Sequence, residues 1–340
     1  MKVADANRVL ESGGDIAADD IASIFDNIMD GEAAHEDIKR FLALTVPQMS
    51  NPDWIAAGAG ALRTRMVRVN APDNAIDVCG TGGDGAQTLN ISTAVAFVVA
   101  GCGVPVAKHG NRAMSSKSGA ADVLEALGVK LSGDVPTLER CLREAGVAFL
   151  FAQNHHPAMR HVAAARRELG HRTIFNLLGP LSNPAGVKRQ LVGVFSGDFV
   201  EPAANALNAL GSDGAWVIHG AGGLDELSCE APNRVAALER GVVNLREVVA
   251  ADAHLSSAPN AGLKGGSAAE NAAALTALLE GKSPGSAYSE VVQLNAAAAL
   301  VAAGAAKTLS GGAELAFDSL NDGGALEALQ KLVEITRSAP

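Results

Sequence analysis

Aromatic residues are scarce in this chain of 340 residues: nine Phe, two Trp and one Tyr make up 4% of it. A core with so few rings must be built from aliphatic side chains and alanine, so its elements have to approach closely, as helices layered on a sheet do. Positive charge is also in deficit. A net charge of −10 argues against a nucleic-acid surface held by bulk electrostatics, because such domains carry a basic face. An anion could still be bound locally by converging backbone N–H groups, a few Lys or Arg, and a divalent cation. Cysteine is limited to Cys79, Cys102, Cys141 and Cys229, without CxxC spacing, and nothing resembles a signal peptide. The expectation is reduced thiols in a cytoplasmic protein.

A convincing membrane span is missing too. The longest uncharged stretch, 88–107, holds Asn90, Ser92, two threonines, two glycines and Pro105, and reads as a helix followed by a strand. Before about Ala75 no strand signal occurs. "DDIASIFDNIMDG" has Ile21, Ile24, Phe25 and Ile28 on one helical face with Gly31 as a stop, and "HEDIKRFLALTV" and "PDWIAAGAGALRTRMV" continue the helical pattern. From there short apolar runs alternate with helical stretches, the signature of a sheet with crossover helices. Strands are expected at 75–79, 104–108, 147–151, 190–195, 215–220 and 234–239, interrupted by a polar helical insert between Asn154 and Pro184. The last hundred residues read as mostly helical, with breaks at "LKGGS", "GKSPGS" and "NDGG".

The predicted fold class is therefore α/β. A small N-terminal helical domain, 1–72, completed by the insert near 154–186, precedes a larger α/β domain, 73–340, with a central, mostly parallel sheet flanked by helices.

Three polar clusters follow predicted strands. "DVCGTGGDGAQTLNIST" (77–93) places four glycines within Gly80–Gly85, before a helix. Such a loop can aim N–H groups and a helix N-terminus at a phosphate, and a merely tight turn would not need Thr88, Asn90, Ser92 and Thr93 beside it. "KHGNRAMSSKSGAADVLEALG" supplies Lys108, Arg112 and Lys117 with Asn111, Ser115, Ser116 and Ser118. Two donor-rich loops after neighbouring strands suggest a polyphosphate at the carboxyl edge of the sheet. In "HGAGGLDELS", Asp225 and Glu226 form a pair that alone would be surface charge; facing a polyphosphate it suits Mg²⁺.

Together these stretches resemble the anthranilate phosphoribosyltransferases of tryptophan biosynthesis, which join anthranilate to phosphoribosyl pyrophosphate. The matching segments are "GTGGD" (80–84), "NIST" (90–93), "KHGNRAMSS" (108–116), "HPAM" (156–159), "RTIFNLLGPLSNPA" (172–185) and "DELS" (225–228). The resemblance implies that Gly80, Gly83, Asp84, Thr88, Asn90, Ile91, Ser92, Thr93, Lys108, His109, Gly110, Asn111, Arg112, Ala113, Met114, Ser115, Ser116 and Ala120 line the phosphoribosyl pyrophosphate site. It implies Gly80, Asn111, His156 and Arg166 around anthranilate, and Ser92, Asp225 and Glu226 for magnesium, two ions in number. No general base is implied; Lys108, Asn111 and Arg166 would act by positioning. It also implies a homodimer formed through the helical domain. Arg166 has a rationale of its own, since a guanidinium fork matches the anthranilate carboxylate.

The chain departs from the family pattern at Ala120, where serine is usual, and at 47–54, where "PQMSNPDW" replaces "KGET" and is expected to alter the face of the helical domain. Competing expectations are a related transferase with another aromatic acceptor, a pyrimidine nucleoside phosphorylase and a non-enzymatic nucleic-acid-binding relative. The histidines of "HHPAMRH" offer no coherent zinc-ligand face.

Overall fold

The computed structural model describes residues 1–112 and 117–339; the expected donor contacts at Ala113, Met114, Ser115 and Ser116 lie outside the described residues. Four helices come first: α1 (Val3–Glu11), α2 (Ala18–Met29), α3 (His35–Leu44) and α4 (Pro52–Arg63). The periodic residues Ile21, Ile24, Phe25 and Ile28 of α2 are all buried, and Phe25 packs edge-on against Phe41 and Trp54. In the segment 47–54, Met49 and Trp54 are core residues, while Pro47, Ser50 and Asp53 are exposed on the helical face.

The sheet is built from β1 (Ile76–Gly80), β2 (Val106–Gly110), β3 (Val147–Phe151), β4 (Arg189–Gly193), β5 (Gly214–His219), β6 (Asn233–Glu239) and β7 (Val242–Val248). Its order among the described residues is β3-β2-β1-β4-β5-β6-β7, with β1 to β5 parallel and β6 and β7 antiparallel. Seven further helices alternate with these strands: α5 (Ile91–Gly101), α6 (Ala120–Ala126), α7 (Val135–Glu144), α8 (Ala152–His155), α9 (Arg160–Leu169), α10 (Phe175–Leu178) and α11 (Val200–Ala209). Four more end the chain: α12 (Ala268–Leu279), α13 (Ala287–Ala302), α14 (Leu309–Asn321) and α15 (Gly324–Ser338).

Strand β7 corrects the sequence reading, which placed no strand there. Arg240 and Gly241 both have positive φ, 53° and 78°, and close a two-residue hairpin that the Arg disguises in sequence. Val242 and Leu245 are exposed on this edge, so no buried alternation marks it.

Alternate residues of the central strands feed two apolar cores. Leu191, Trp216, Ile218, Val235 and Ala237 face a core shared with α5, α13, α14 and α15. Val192, Val217, Ala236 and Leu238 face the other, which joins α11 to the N-terminal helices and to the insert helices α9 and α10. The insert is tied on by a reciprocal pair of bonds: Val67 N–H donates to the His155 carbonyl, and the Val67 carbonyl lies 2.8 Å from His155 Nδ1. No helix among the described residues is long and apolar enough to cross a membrane.

Candidate active site

The sheet order reverses between β1 and β4, whose last residues, Gly80 and Gly193, are register partners. Ligands of open α/β sheets bind at such a crevice beyond the carboxyl ends of the strands. Here the loop after β5 folds across it. A Cβ on Gly80 would collide with the Asp225 carboxylate, one on Gly193 with the Asp225 carbonyl, and one on Gly220 with the Glu226 carbonyl. Glycine at these three positions is thus the condition for seating the two carboxylates over the switch point.

The glycine-rich loop closes from the other side. Gly82, Gly83 and Gly85 take positive φ, as only glycine does without strain. The Gly82 N–H donates to Asp225 Oδ2 at 2.6 Å and the Thr81 N–H to the Gly193 carbonyl at 2.9 Å. These two amides therefore fasten the loop to the crevice.

Asp84, Asp225 and Glu226 offer carboxylate oxygens that lie within 4.8 Å of one another. Burial, then the Asp84 charge, pushes Asp225 up to about 6, and burial with the Asp225 charge raises Glu226 well above the usual carboxylate range. Asp84 Oδ2 and Glu226 Oε2 are buried with no hydrogen-bond partner among the described residues. Three crowded, desolvated carboxylates with unused lone pairs fit a hard divalent cation such as Mg²⁺. Asp84 was expected among the donor contacts and not in this cluster.

Lys108 is buried in the middle of β2. Its Nζ donates to the Val78 carbonyl at 2.7 Å and to Ser92 Oγ at 3.1 Å, fixing the first turn of α5 against β1. Burial lowers its pKa, against the pull of Asp77, Glu226 and Asp225. Next to it the His109 N–H donates to the fully buried Asp77 at 3.0 Å. His109 Nδ1 lies 3.0 Å from the Gly179 carbonyl and its Nε2 lies 3.2 Å from His156 Nε2. Because a carbonyl only accepts, His109 carries its proton on Nδ1 and His156 donates from Nε2. Burial depresses the two imidazoles to about 3 and about 4. This neutral pair joins the end of β2 to the insert.

Asn111 is exposed; its Oδ1 accepts from the Arg112 N–H at 2.8 Å and from Gln153 at 3.4 Å. Arg112 pairs with Asp122 and Glu125 and stands 5.6 Å from the Phe151 ring centroid. Ala120 opens α6 next to Gly110. Arg166 is half-buried on α9, 5.9 Å from the Phe175 ring centroid, and makes no side-chain hydrogen bond or ion pair among the described residues. Burial lowers its pKa. A desolvated guanidinium without an acid beside it is suited to a carboxylate ligand.

With this geometry in place, the comparisons decide the family. A profile described as "Glycosyl transferase family, a/b domain" matches residues 72–326. Anthranilate phosphoribosyltransferase of Bradyrhizobium sp. (strain ORS 278) is 51% identical over 328 residues, covering 96% of each chain. The chain belongs to the anthranilate phosphoribosyltransferase family. Among solved structures of this family, that from Thermus thermophilus is 39% identical with a TM-score of 0.92, covering 98% of this chain and all of the other. The Saccharomyces cerevisiae enzyme in complex with PRPP and Mg is 25% identical with a TM-score of 0.89, covering 99% and 98%.

Two parts of this phosphoribosyltransferase-family site escaped the sequence reading. Arg172, between the insert helices α9 and α10, donates to the Gly83 carbonyl and lies 4.0 Å from the Phe195 ring centroid, bridging the insert to the glycine loop. The segment before α12 pairs with the far end of that loop: Thr88 bridges Lys264, the Leu89 N–H donates to the Leu263 carbonyl and the Gly265 N–H to the Gln87 carbonyl, both at 2.8 Å. "LKGGS" looks in sequence like a simple helix break. Contacts across such a separation leave no local pattern.

Proposed function

We propose that this chain catalyses transfer of the phosphoribosyl group of phosphoribosyl pyrophosphate to the amine of anthranilate, giving N-(5-phosphoribosyl)anthranilate and pyrophosphate in tryptophan biosynthesis. The observation that carries the reading is the trio Asp84, Asp225 and Glu226 gathered over the β1/β4 crevice beside Ser92 and Lys108. The S. cerevisiae relative solved with PRPP and Mg supports the choice of donor and metal.

In this reading Ser92, Asp225 and Glu226 hold magnesium, two ions in number, with Asp84 completing the acidic wall. Bound there, magnesium neutralises charge on the pyrophosphate leaving group. Lys108 sets the floor of the site by locking Ser92 and β1 together. Gly80, Gly83, Thr88, Asn90, Ile91, Thr93, His109, Gly110, Asn111, Arg112 and Ala120 line the donor site. Gly80, Asn111, His156 and Arg166 surround anthranilate, and Arg166 takes its carboxylate. The aromatic amine is already neutral near pH 7, so the chain needs no general base; its work is to orient the amine toward C1 of the ribose and to stabilise charge as the C1–O bond breaks.

The same reading divides the chain into a helical unit, 1–72 with the insert near 154–186, and an α/β unit, with acceptor and donor meeting between them. It makes the protein a cytoplasmic homodimer paired through the helical unit, consistent with four free thiols. The test is the loss of anthranilate fluorescence on adding phosphoribosyl pyrophosphate, with magnesium and then with EDTA. Consumption that EDTA abolishes is expected; a folded protein that consumes no anthranilate overturns the proposal.

A further inference from the structure

Asn90 precedes the first turn of α5, and its side chain makes no capping bond to that helix. Its Oδ1 instead accepts from Asn271 Nδ2 at 2.8 Å, across 181 residues of sequence. Asn271 is buried in the first turn of α12, and its own Oδ1 accepts from the Gly266 N–H at 2.7 Å. The polarity of this chain is not arbitrary. A backbone N–H can only donate, so the Asn271 oxygen must face Gly266 and its NH₂ must face Asn90. The Asn90 oxygen must then face Asn271, and the Asn90 NH₂ is turned the other way, where it has no partner among the described residues.

The backbone at Asn90 is held as well. The Tyr288 hydroxyl, on α13, donates to the Asn90 carbonyl at 3.3 Å, and the flanking strand-like pairing of residues 87–89 with 263–265 leaves no room for a side chain on Gly265 against the Thr88 carbonyl. A half-buried amide whose oxygen is engaged and whose donor end is left over, at the start of the helix whose first turn Lys108 ties to β1, is suited to meet an anion. We propose that Asn271 is a positioning residue for the transferase reaction: by fixing which end of the Asn90 amide faces the crevice, it makes Asn90 a preset hydrogen-bond donor to the phosphates of phosphoribosyl pyrophosphate. The inference rests on the placement of Asn90 in the donor site, and its test separates the two.

Steady-state kinetics of Asn90→Ala, Asn271→Leu and the double variant carry that test, with KM measured for each substrate. Asn90→Ala and Asn271→Leu should each raise the KM for phosphoribosyl pyrophosphate about tenfold, as expected for losing a bond to a charged group, with the anthranilate KM unchanged. The double variant should be no worse than Asn90→Ala, because Asn271 acts through Asn90. Asn271→Asp keeps the Gly266 bond and the shape but offers Asn90 an acceptor, turning its NH₂ inward; it should raise the donor KM more than Asn271→Leu does. It carries the test where the leucine variant fails to fold. Additive effects in the double variant, or a donor KM unchanged in both Asn271 variants, overturn the proposal. An unchanged donor KM in Asn90→Ala removes Asn90 from the donor site and the proposal with it.

Discussion

The Asp225 carboxylate occupies the space that a side chain on Gly80 would need. The last residue of β1 is glycine so that an acid from the loop after β5 can reach over the strand. Gly80→Ala should therefore displace Asp225 and leave the sheet intact. Turnover should fall by roughly a hundredfold or more, the scale of loss expected when a charged group is misplaced by about 1 Å. Circular dichroism and steady-state rates measured side by side check this; an alanine variant with undiminished turnover would show that Asp225 need not sit where it does.

The crowding of Asp84, Asp225 and Glu226 should make the metal-free protein less stable than its fold alone would allow. In the folded state Asp225 holds its proton up to about 6, against 3.8 for an ordinary Asp, so folding binds protons between those values. Stability contributed by the protonated form is lost as pH rises through about 6. Asp225→Asn should remove that penalty and raise the melting temperature of the EDTA-treated protein at pH 7.5 by roughly 1–3 °C. The same variant should lose the extra stabilisation that magnesium gives the unsubstituted protein. Thermal unfolding with and without magnesium reads both effects.

The β1 to β6 pattern was legible because Leu191, Trp216, Ile218 and their neighbours alternate between two buried faces. β7 was not, since an edge strand with exposed Val242 and Leu245 and a turn opened by Arg240 shows neither alternation nor a common turn pair. In the site, Asp225 and Glu226 stood out as an adjacent pair beside a glycine turn. Asp84 did not join them in sequence, because only the fold brings two distant loops over one strand gap. Gly80 was legible as part of a glycine-rich loop after a strand, but the group that fills the space beside it is a side chain of the same chain. Arg172 opens the matching segment 172–185 but was given no role there, and Asn271 and Tyr288 carry no motif of their own; their partners are backbone carbonyls and an amide far along the chain.

The buried imidazoles of His109 and His156 set a pH dependence of the opposite sign. Unfolded, each binds a proton near 6.5; folded, they do so at about 3 and about 4. The unfolded chain therefore takes up more protons below 6.5, and stability should fall as pH drops from about 6.5 toward 4, by an amount on the order of a few kcal/mol. Urea unfolding across that range should show the decline, and His156→Gln should flatten it. A His156→Gln profile parallel to that of the unsubstituted protein would place the acid sensitivity elsewhere.

Ala120 begins α6 beside Gly110, at the edge of the donor loop. Ala120→Ser introduces a hydroxyl at this position. One added neutral hydrogen bond is worth about 1 kcal/mol, so the KM for phosphoribosyl pyrophosphate should fall by no more than about fivefold. An unchanged donor KM would mean that the serine hydroxyl finds no donor oxygen in this chain.

Arg166 and Arg172 lie close in sequence but should fail in different ways. Arg166 has no acid partner among the described residues, so its guanidinium is free for the acceptor carboxylate, and Arg166→Ala should raise the anthranilate KM by about tenfold or more. Arg172 is engaged with the Gly83 carbonyl and the Phe195 ring, holding the insert against the glycine loop. Arg172→Ala should loosen that loop and raise chiefly the KM for phosphoribosyl pyrophosphate, while Arg172→Lys, which keeps the charge but loses the planar fork, should recover only part of the loss. Measuring both KM values for the three variants distinguishes the roles: if Arg172→Ala shifted the anthranilate KM and Arg166→Ala did not, the carboxylate partner would be Arg172.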